Sequence, residues 1–150
     1  GGRQAYQDMG ESHINLLRKY NILNKVIIRD YYISEDEKPY YFYSADAVIL
    51  SYKQHFLSTP SLLWEAASFG TPVIASNNGQ LEELVAEYRT GLLFKAQDAD
   101  SLNHAIIKYI NAKPEEKEEL VNNCSRFIDE FSMVKWTQRC IALYLEVLKD

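Results

Sequence analysis

LSYKQHFLSTPSLLWEAASFGTPVIASNNGQLEE, residues 50–83, runs from the end of one short apolar segment through the whole of another. Leu50 closes the first, Ala47–Leu50, and Val73–Ala75 is the second. Each is too short for a helix and is followed by polar residues. Uniformly apolar runs of that length suit central strands buried on both faces. Between them, Ser58-Thr59-Pro60-Ser61 opens a helix, with Thr59 as N-cap and Pro60 at the first helical position. The helix runs from Ser61 to Phe69, and Gly70 stops it. Strand, helix and strand in this order form a parallel unit with a helical crossover.

The same alternation extends outward. Val26–Ile28 and Leu92–Phe94 read as two further strands. Leu16, Leu17 and Tyr20 mark a helix before the first, and Pro39 opens a short aromatic helix over Tyr40–Tyr43. Leu81 to Glu87 is another short helix. After Phe94 the pattern is helical to the end. Leu102, Ala105, Ile106, Tyr109 and Ile110 share one face, as do Leu120, Cys124, Phe127, Ile128 and Phe131. Trp136, Cys140, Leu143, Tyr144, Val147 and Leu148 form a third stripe. Lys113-Pro114 and Phe131-Ser132 separate these helices. The expected fold is α/β: a Rossmann-like three-layer parallel sheet with a helical C-terminal extension, residues 1–150 making a single domain. Gly1-Gly2-Arg3 reads as the exit from a strand ahead of Gly1, so the chain is expected to be a piece of a longer protein, without the first strand and helix of its domain.

Composition narrows the function classes. Of the 150 residues 47% are hydrophobic, and only 6 are Gly and 4 Pro. Those values exclude a disordered chain and make an all-β chain rich in tight turns a poor fit. No apolar run approaches the roughly 20 residues that cross a bilayer. No basic segment leads into an apolar signal region, so the expected location is cytoplasmic. Sixteen basic against 21 acidic residues leave a net charge of −5. With no basic face, nucleic acid is not an expected partner. Cys124 and Cys140 lack CxxC spacing and nearby histidines, which argues against zinc. They read as two buried thiols in a reducing compartment. Eleven tyrosines exceed what a core of this size uses, so some are expected to face a partner or another domain.

The chemistry gathers where the first crossover helix begins. In open parallel sheets the loops at the carboxyl ends of the strands bind ligands. A helix N-terminus there favours an anion, most often a phosphate, and hydroxyls of Ser58, Thr59 and Ser61 add donors. Glu65, about one turn into the helix, is placed to accept the hydroxyls of a ribose. Gly79, in the loop after Val73–Ala75, lets backbone approach a ligand closely. His55 lies in the same loop region. Taken singly, each has a plainer reading: a Ser/Thr-Pro cap, a solvated helix glutamate, a loop histidine. Glu82 and Glu83 read as first-turn carboxylates of the next helix.

Together the segments resemble the donor-binding, C-terminal half of GT-B fold glycosyltransferases of the retaining group 1 family. The matching residues are Glu65-Ala66-Ala67, Gly70-Thr71-Pro72-Val73-Ile74-Ala75-Ser76, Gly79, Glu83 and Thr90-Gly91-Leu92-Leu93. Upstream, Tyr40 to Val48, with Ala45-Asp46-Ala47, is similar to the family's approach to its strand. Downstream, Phe131-Ser132 with Trp136 and Tyr144 is similar to its final helix.

The resemblance implies that Glu65 is the family's second motif glutamate and binds the ribose of a nucleotide-sugar. It implies that Ser58 to Ser61 hold donor phosphate and sugar. The family's first motif glutamate falls on Leu57, and Ser58-Thr59-Pro60 replace its Gly-Phe-Gly run. No Arg or Lys here matches the family's basic pair, so catalytic residues are not assigned. The implied reaction transfers a hexose from an NDP-sugar to an acceptor hydroxyl with retention, with no cofactor and no metal. The implied partners are the nucleotide-sugar and an acceptor glycan or lipid-linked glycan. An acceptor domain preceding this one would make any peripheral membrane contact, and a chain with half the site would not turn over alone. Other readings are a non-catalytic nucleotide- or sugar-binding module, an NDP-sugar epimerase-like GT-B protein, and a structural partner docking through its aromatic helices.

Overall fold

Three of the four apolar runs pair as a parallel sheet. β1 (Val48–Leu50), β2 (Val73–Ser76) and β3 (Gly91–Phe94) lie in the order β1-β2-β3. Val48 pairs with Val73 and Leu50 with Ala75; on the other edge, Val73 pairs with Gly91 and Ser76 with Phe94. The computed structural model describes residues 13–29, 31–55 and 61–148. It divides into two units, Gly1–Ile33 and Ser34–Asp150, and the sheet belongs to the second.

In that second unit α1 (Lys38–Ser44) precedes β1. α2 (Ser61–Ser68) joins β1 to β2, and α3 (Gly79–Tyr88) joins β2 to β3. α4 (Ala99–Asn111), α5 (Pro114–Glu130) and α6 (Met133–Val147) follow. Side chains alternate across a strand, and β2 shows the sorting. Val73 and Ala75 share a core with Leu63 and Ala66 of α2, Leu81 and Val85 of α3, and Cys124 and Phe127 of α5. Ile74 joins Phe94 of β3 and Ala105 and Tyr109 of α4 in a second core. The result is the expected Rossmann-like α/β arrangement of helices, sheet and helix. All four residues of β2 are buried, as a central strand requires.

Local chemistry sets the boundaries. Asp98 caps α4 by accepting a hydrogen bond from Ser101 N–H at 2.9 Å. Pro114 opens α5, where the Glu116 carboxylate accepts from Lys113 N–H at 2.7 Å. Gly70 leaves α2 with φ of 69°, a left-handed turn that favours glycine. Gly91 is held to glycine by contact instead: a Cβ there would lie 1.8 Å from the Val73 carbonyl oxygen. Phe42 of α1 stacks on Phe69 at 5.0 Å, and Thr71 Oγ1 donates to Phe42 O at 3.0 Å, fixing α1 beside the end of α2. Trp64, Tyr88, Phe127 and Phe131 form one ring cluster, with Trp64 stacked on Phe127 at 4.5 Å.

Three expectations need correction. Val26–Ile28 is not a strand. In that first unit residues 13–19 are helical and Leu23–Lys25 forms a 3-10 turn. Val26, Ile27 and Ile28 follow with exposures of 40%, 79% and 48%. An apolar run supplies burial potential, but a strand also needs a partner ladder, and among the described residues this run has none. The stripe on α6 is not a core face: α6 has no buried residue, and Trp136, Leu143, Tyr144, Val147 and Leu148 are exposed. For the same reason only Cys124 is a buried thiol, since Cys140 on α6 is half-buried.

Candidate functional site

Parallel strands bring their carboxyl ends to one edge, and the crossover helices begin there. Residues 51–55 after β1, Asn77-Asn78 after β2 and the starts of α1, α2 and α3 therefore share that edge. Buried hydrogen bonds tie the loops together. Ser76, fully buried, accepts from Tyr52 N–H at 3.0 Å. Its hydroxyl proton is shared between Leu50 O at 3.2 Å and Asn78 Oδ1 at 3.0 Å. The Asn78 amide donates to Lys53 O at 2.9 Å. Asn77 reaches the other way: its N–H donates to Phe94 O at 2.7 Å and its Oδ1 accepts from Ala96 N–H at 2.9 Å. Buried polar groups are stable only when satisfied in this way, so this network fixes the platform on which the exposed site residues stand. Burial pushes the Tyr52 phenol above its ordinary range.

The sequence candidates distribute unevenly over this edge. Glu65 lies within the second turn of α2, with its side chain 31% exposed. Ser61 is exposed at the first position of α2, and Gly79, with φ of 50°, is exposed at the start of α3. His55 is exposed in the turn after β1. Ser58 and Thr59, with the proposed Thr59 cap, Pro60 and Leu57, lie outside the described residues.

Lys38 is the residue the sequence reading passed over. Its ammonium lies 2.9 Å from Glu65 Oε2 and 2.8 Å from Glu35 Oε1. The hydrogen bonds it donates to Glu35 and then to Glu65 hold it above the ordinary lysine range. A lysine at the first position of a helix opposes the helix dipole. That mismatch was a usable cue that Lys38 faces an acidic partner. Ser76 and Asn78 were legible only as loop residues, because hydrogen bonds between loops leave no periodic trace.

Two clefts of about 530 and 590 Å³ open at the opposite, amino-terminal edge. Arg89 and Asn123 line both, and neither contains Glu65, Ser61 or Gly79. The Thr90-Gly91-Leu92-Leu93 motif also starts at that edge. Thr90 O accepts from Val73 N–H at 3.1 Å, and Gly91 allows the close approach described above. These residues position β3 and take no place among the carboxyl-edge groups. Among the described residues no cluster of three or more His, Cys, Asp or Glu is arranged to hold a metal. No helix among them is long and apolar enough to cross a membrane.

A parallel sheet ordered β1-β2-β3 with helices on both faces defines a Rossmann-like α/β architecture. The sequence model described as "Glycosyl transferases group 1" matches residues 5–127. The chain belongs to that family. Among solved structures it is similar to sucrose-phosphate synthase from Thermosynechococcus elongatus. That match has 26% identity and a TM-score of 0.70, over 90% of this chain and 33% of that one. A glycosyltransferase from Rickettsia africae ESF-5 matches at 16% identity and a TM-score of 0.73, over 97% of this chain and 38% of that one. The C-terminal domain of a glycosyl transferase group 1 family protein (LpcC) from Francisella tularensis matches at 13% and 0.66, over 83% and 62%. The last two share the fold. The chain spans about a third of the length of the synthase and little more of the Rickettsia enzyme. No curated protein matches it in sequence.

Proposed function

We propose that this chain is the donor-binding domain of a retaining glycosyltransferase that takes a hexose from an NDP-sugar and gives it to an acceptor hydroxyl. The observation that carries the reading is Glu65: a partly exposed carboxylate one turn into α2, at the carboxyl edge of the sheet, in a chain of the group 1 family. In this proposal Glu65 accepts the ribose hydroxyls. The diphosphate sits at the start of α2, where Ser58, Thr59 and Ser61 donate and the helix dipole favours negative charge. Gly79 lets the start of α3 approach the donor closely, and His55 borders the same space. Leaving-group charge is stabilised there by fixed dipoles and by cations. Leu57 in place of an acidic residue leaves the donor sugar to the serine-rich segment.

The rest of the reading concerns the longer protein. The acceptor, a glycan or lipid-linked glycan, belongs to a second domain, which also makes any membrane contact. That domain completes the site, and closure between the two supplies orientation and excludes water. The proposed setting is cytoplasmic, without metal or cofactor. Titration calorimetry with UDP, GDP and ADP tests the donor site. The reading requires one of the three to bind and Glu65→Gln to weaken it. If none binds, or if Glu65→Gln lowers only the melting temperature, Glu65 is a structural residue and the proposal fails.

A further inference from the structure

Lys38 and Glu65 come from different helices and meet at one edge for a topological reason. α1 and α2 both run back across the sheet from its carboxyl edge, and the first turn of α1 lies beside the second turn of α2. Lys38 occupies one carboxylate oxygen of Glu65, at 2.9 Å, and leaves Oε1. Its second anchor, Glu35 at 2.8 Å, sits one turn earlier and restrains the ammonium from the solvent side. Lys38 and Glu65 are 24% and 31% exposed at their side chains, whereas Glu35 is 74% exposed. The inner pair is thus the better shielded of the two. A glutamate in an eight-residue helix otherwise has several rotamers of similar energy. The dipole mismatch at the start of α1 is offset by these two carboxylates, so the lysine carries no benefit to α1 by itself.

We propose that Lys38 is the positioning residue for Glu65: it fixes Oε2 so that Oε1 is presented to the ribose hydroxyls of the donor. This rests on the reading of Glu65 as the ribose acceptor. It adds a determinant on α1, ahead of the first strand, to a site otherwise built from the loops and helices that follow the strands. The role is indirect. Lys38 acts through the carboxylate, and its effect is confined to ligands that carry ribose hydroxyls.

The test is calorimetry on the protein with whichever of UDP, GDP and ADP binds, and with the 2′,3′-dideoxy form of that nucleotide. The quantity read is the affinity ratio between the two. In the unmodified protein the ribose form binds more tightly. Lys38→Met is expected to reduce the ratio by roughly two- to fivefold, the scale of a partly exposed ion pair, and Lys38→Arg to restore most of it. Glu65→Gln is expected to collapse the ratio. A melting temperature that falls in Lys38→Met with an unchanged ratio makes Lys38 structural and overturns the proposal. Equal weakening of both nucleotides makes Lys38 a direct phosphate contact and also overturns it. An unchanged ratio in Glu65→Gln, or no binding by the unmodified protein, removes the reading of Glu65 itself and takes the proposal with it.

Discussion

Replacing Ser76 with alanine tests whether the platform under the site is held by one hydroxyl. Ser76 is fully buried, and its Oγ is bonded to Tyr52 N–H, Leu50 O and Asn78 Oδ1. The Ser76→Ala change removes the acceptor of one backbone donor and the donor to two carbonyl oxygens, in a place water does not reach. Withdrawing one partner from a buried hydrogen-bonded group costs about 1–3 kcal/mol. With bonds on both sides of the hydroxyl, the expected loss is near 2 kcal/mol. For a chain of this size that corresponds to a fall in melting temperature of roughly 4–8 °C. Ser68→Ala is the matched control. Its hydroxyl bonds to Glu65 O at 2.7 Å but is exposed on α2, where alanine is the better helix former, so no loss is expected. Urea unfolding followed by tryptophan fluorescence measures both variants. Nucleotide affinity in Ser76→Ala should fall with stability, because the loops after β1 and β2 lose their tie. A Ser76→Ala variant within about 0.5 kcal/mol of the parent, binding nucleotide unchanged, would refute the argument that this network holds the site together.

Phe127→Ala empties the centre of the ring cluster. Phe127 is fully buried with Trp64, Tyr88 and Phe131 around it, so the variant should lose about 3–5 kcal/mol in the same urea assay. Gly91→Ala should fold poorly or not at all, read as loss of soluble protein and of cooperative unfolding, because its Cβ would lie 1.8 Å from Val73 O. Cys124 is pushed by burial from its ordinary 9.0 to about 11. Alkylation of the folded protein at neutral pH should therefore label the half-buried Cys140 first, as peptide mapping would show. The same shift has a sign: the unfolded thiol ionises before the folded one, so Cys124 withdraws stability as pH rises from about 9 to about 11. Cys124→Ala should flatten the fall in melting temperature over that window.

The strands that were legible in the sequence are those whose neighbours are also strands. Ala47–Leu50, Val73–Ala75 and Leu92–Phe94 are short apolar runs between helix signals, and each gains a ladder from the next. Val26–Ile28 has the same composition, yet composition cannot report whether a partner ladder exists. The α6 stripe fails similarly. Its spacing identifies an apolar face correctly, but spacing is silent on what lies opposite, and Trp136, Leu143, Tyr144, Val147 and Leu148 are exposed. Glu65 reads as a candidate from sequence because a carboxylate near a helix start at the carboxyl edge has a chemical meaning of its own. Lys38 lies 27 positions away on another helix, and only the topology makes them neighbours. Ser76 and Asn78 were visible as loop formers, and their bonding to Leu50, Tyr52 and Lys53 appears only in three dimensions.

The family motifs separate into two jobs once they are placed on the sheet. Glu65, Ser61 and Gly79 stand at the carboxyl edge, where helix starts and loop ends leave polar groups directed away from the core. Thr90 and Gly91 stand at the amino edge, where the requirement is close approach between β2 and β3. A substitution at the first group should alter ligand affinity ahead of stability, and one at the second should do the reverse. Gly70, Thr71 and Pro72 belong with the second group: they end α2, hold α1 through the bond that Thr71 donates to Phe42 O, and start β2 in register. Ser76 spans both jobs. Its side chain is core by burial and site by connection, since the two loops that flank Glu65 and Gly79 are joined through its oxygen. That is why stability and nucleotide affinity are expected to fall together in Ser76→Ala, whereas Gly91→Ala acts on folding and Glu65→Gln on binding.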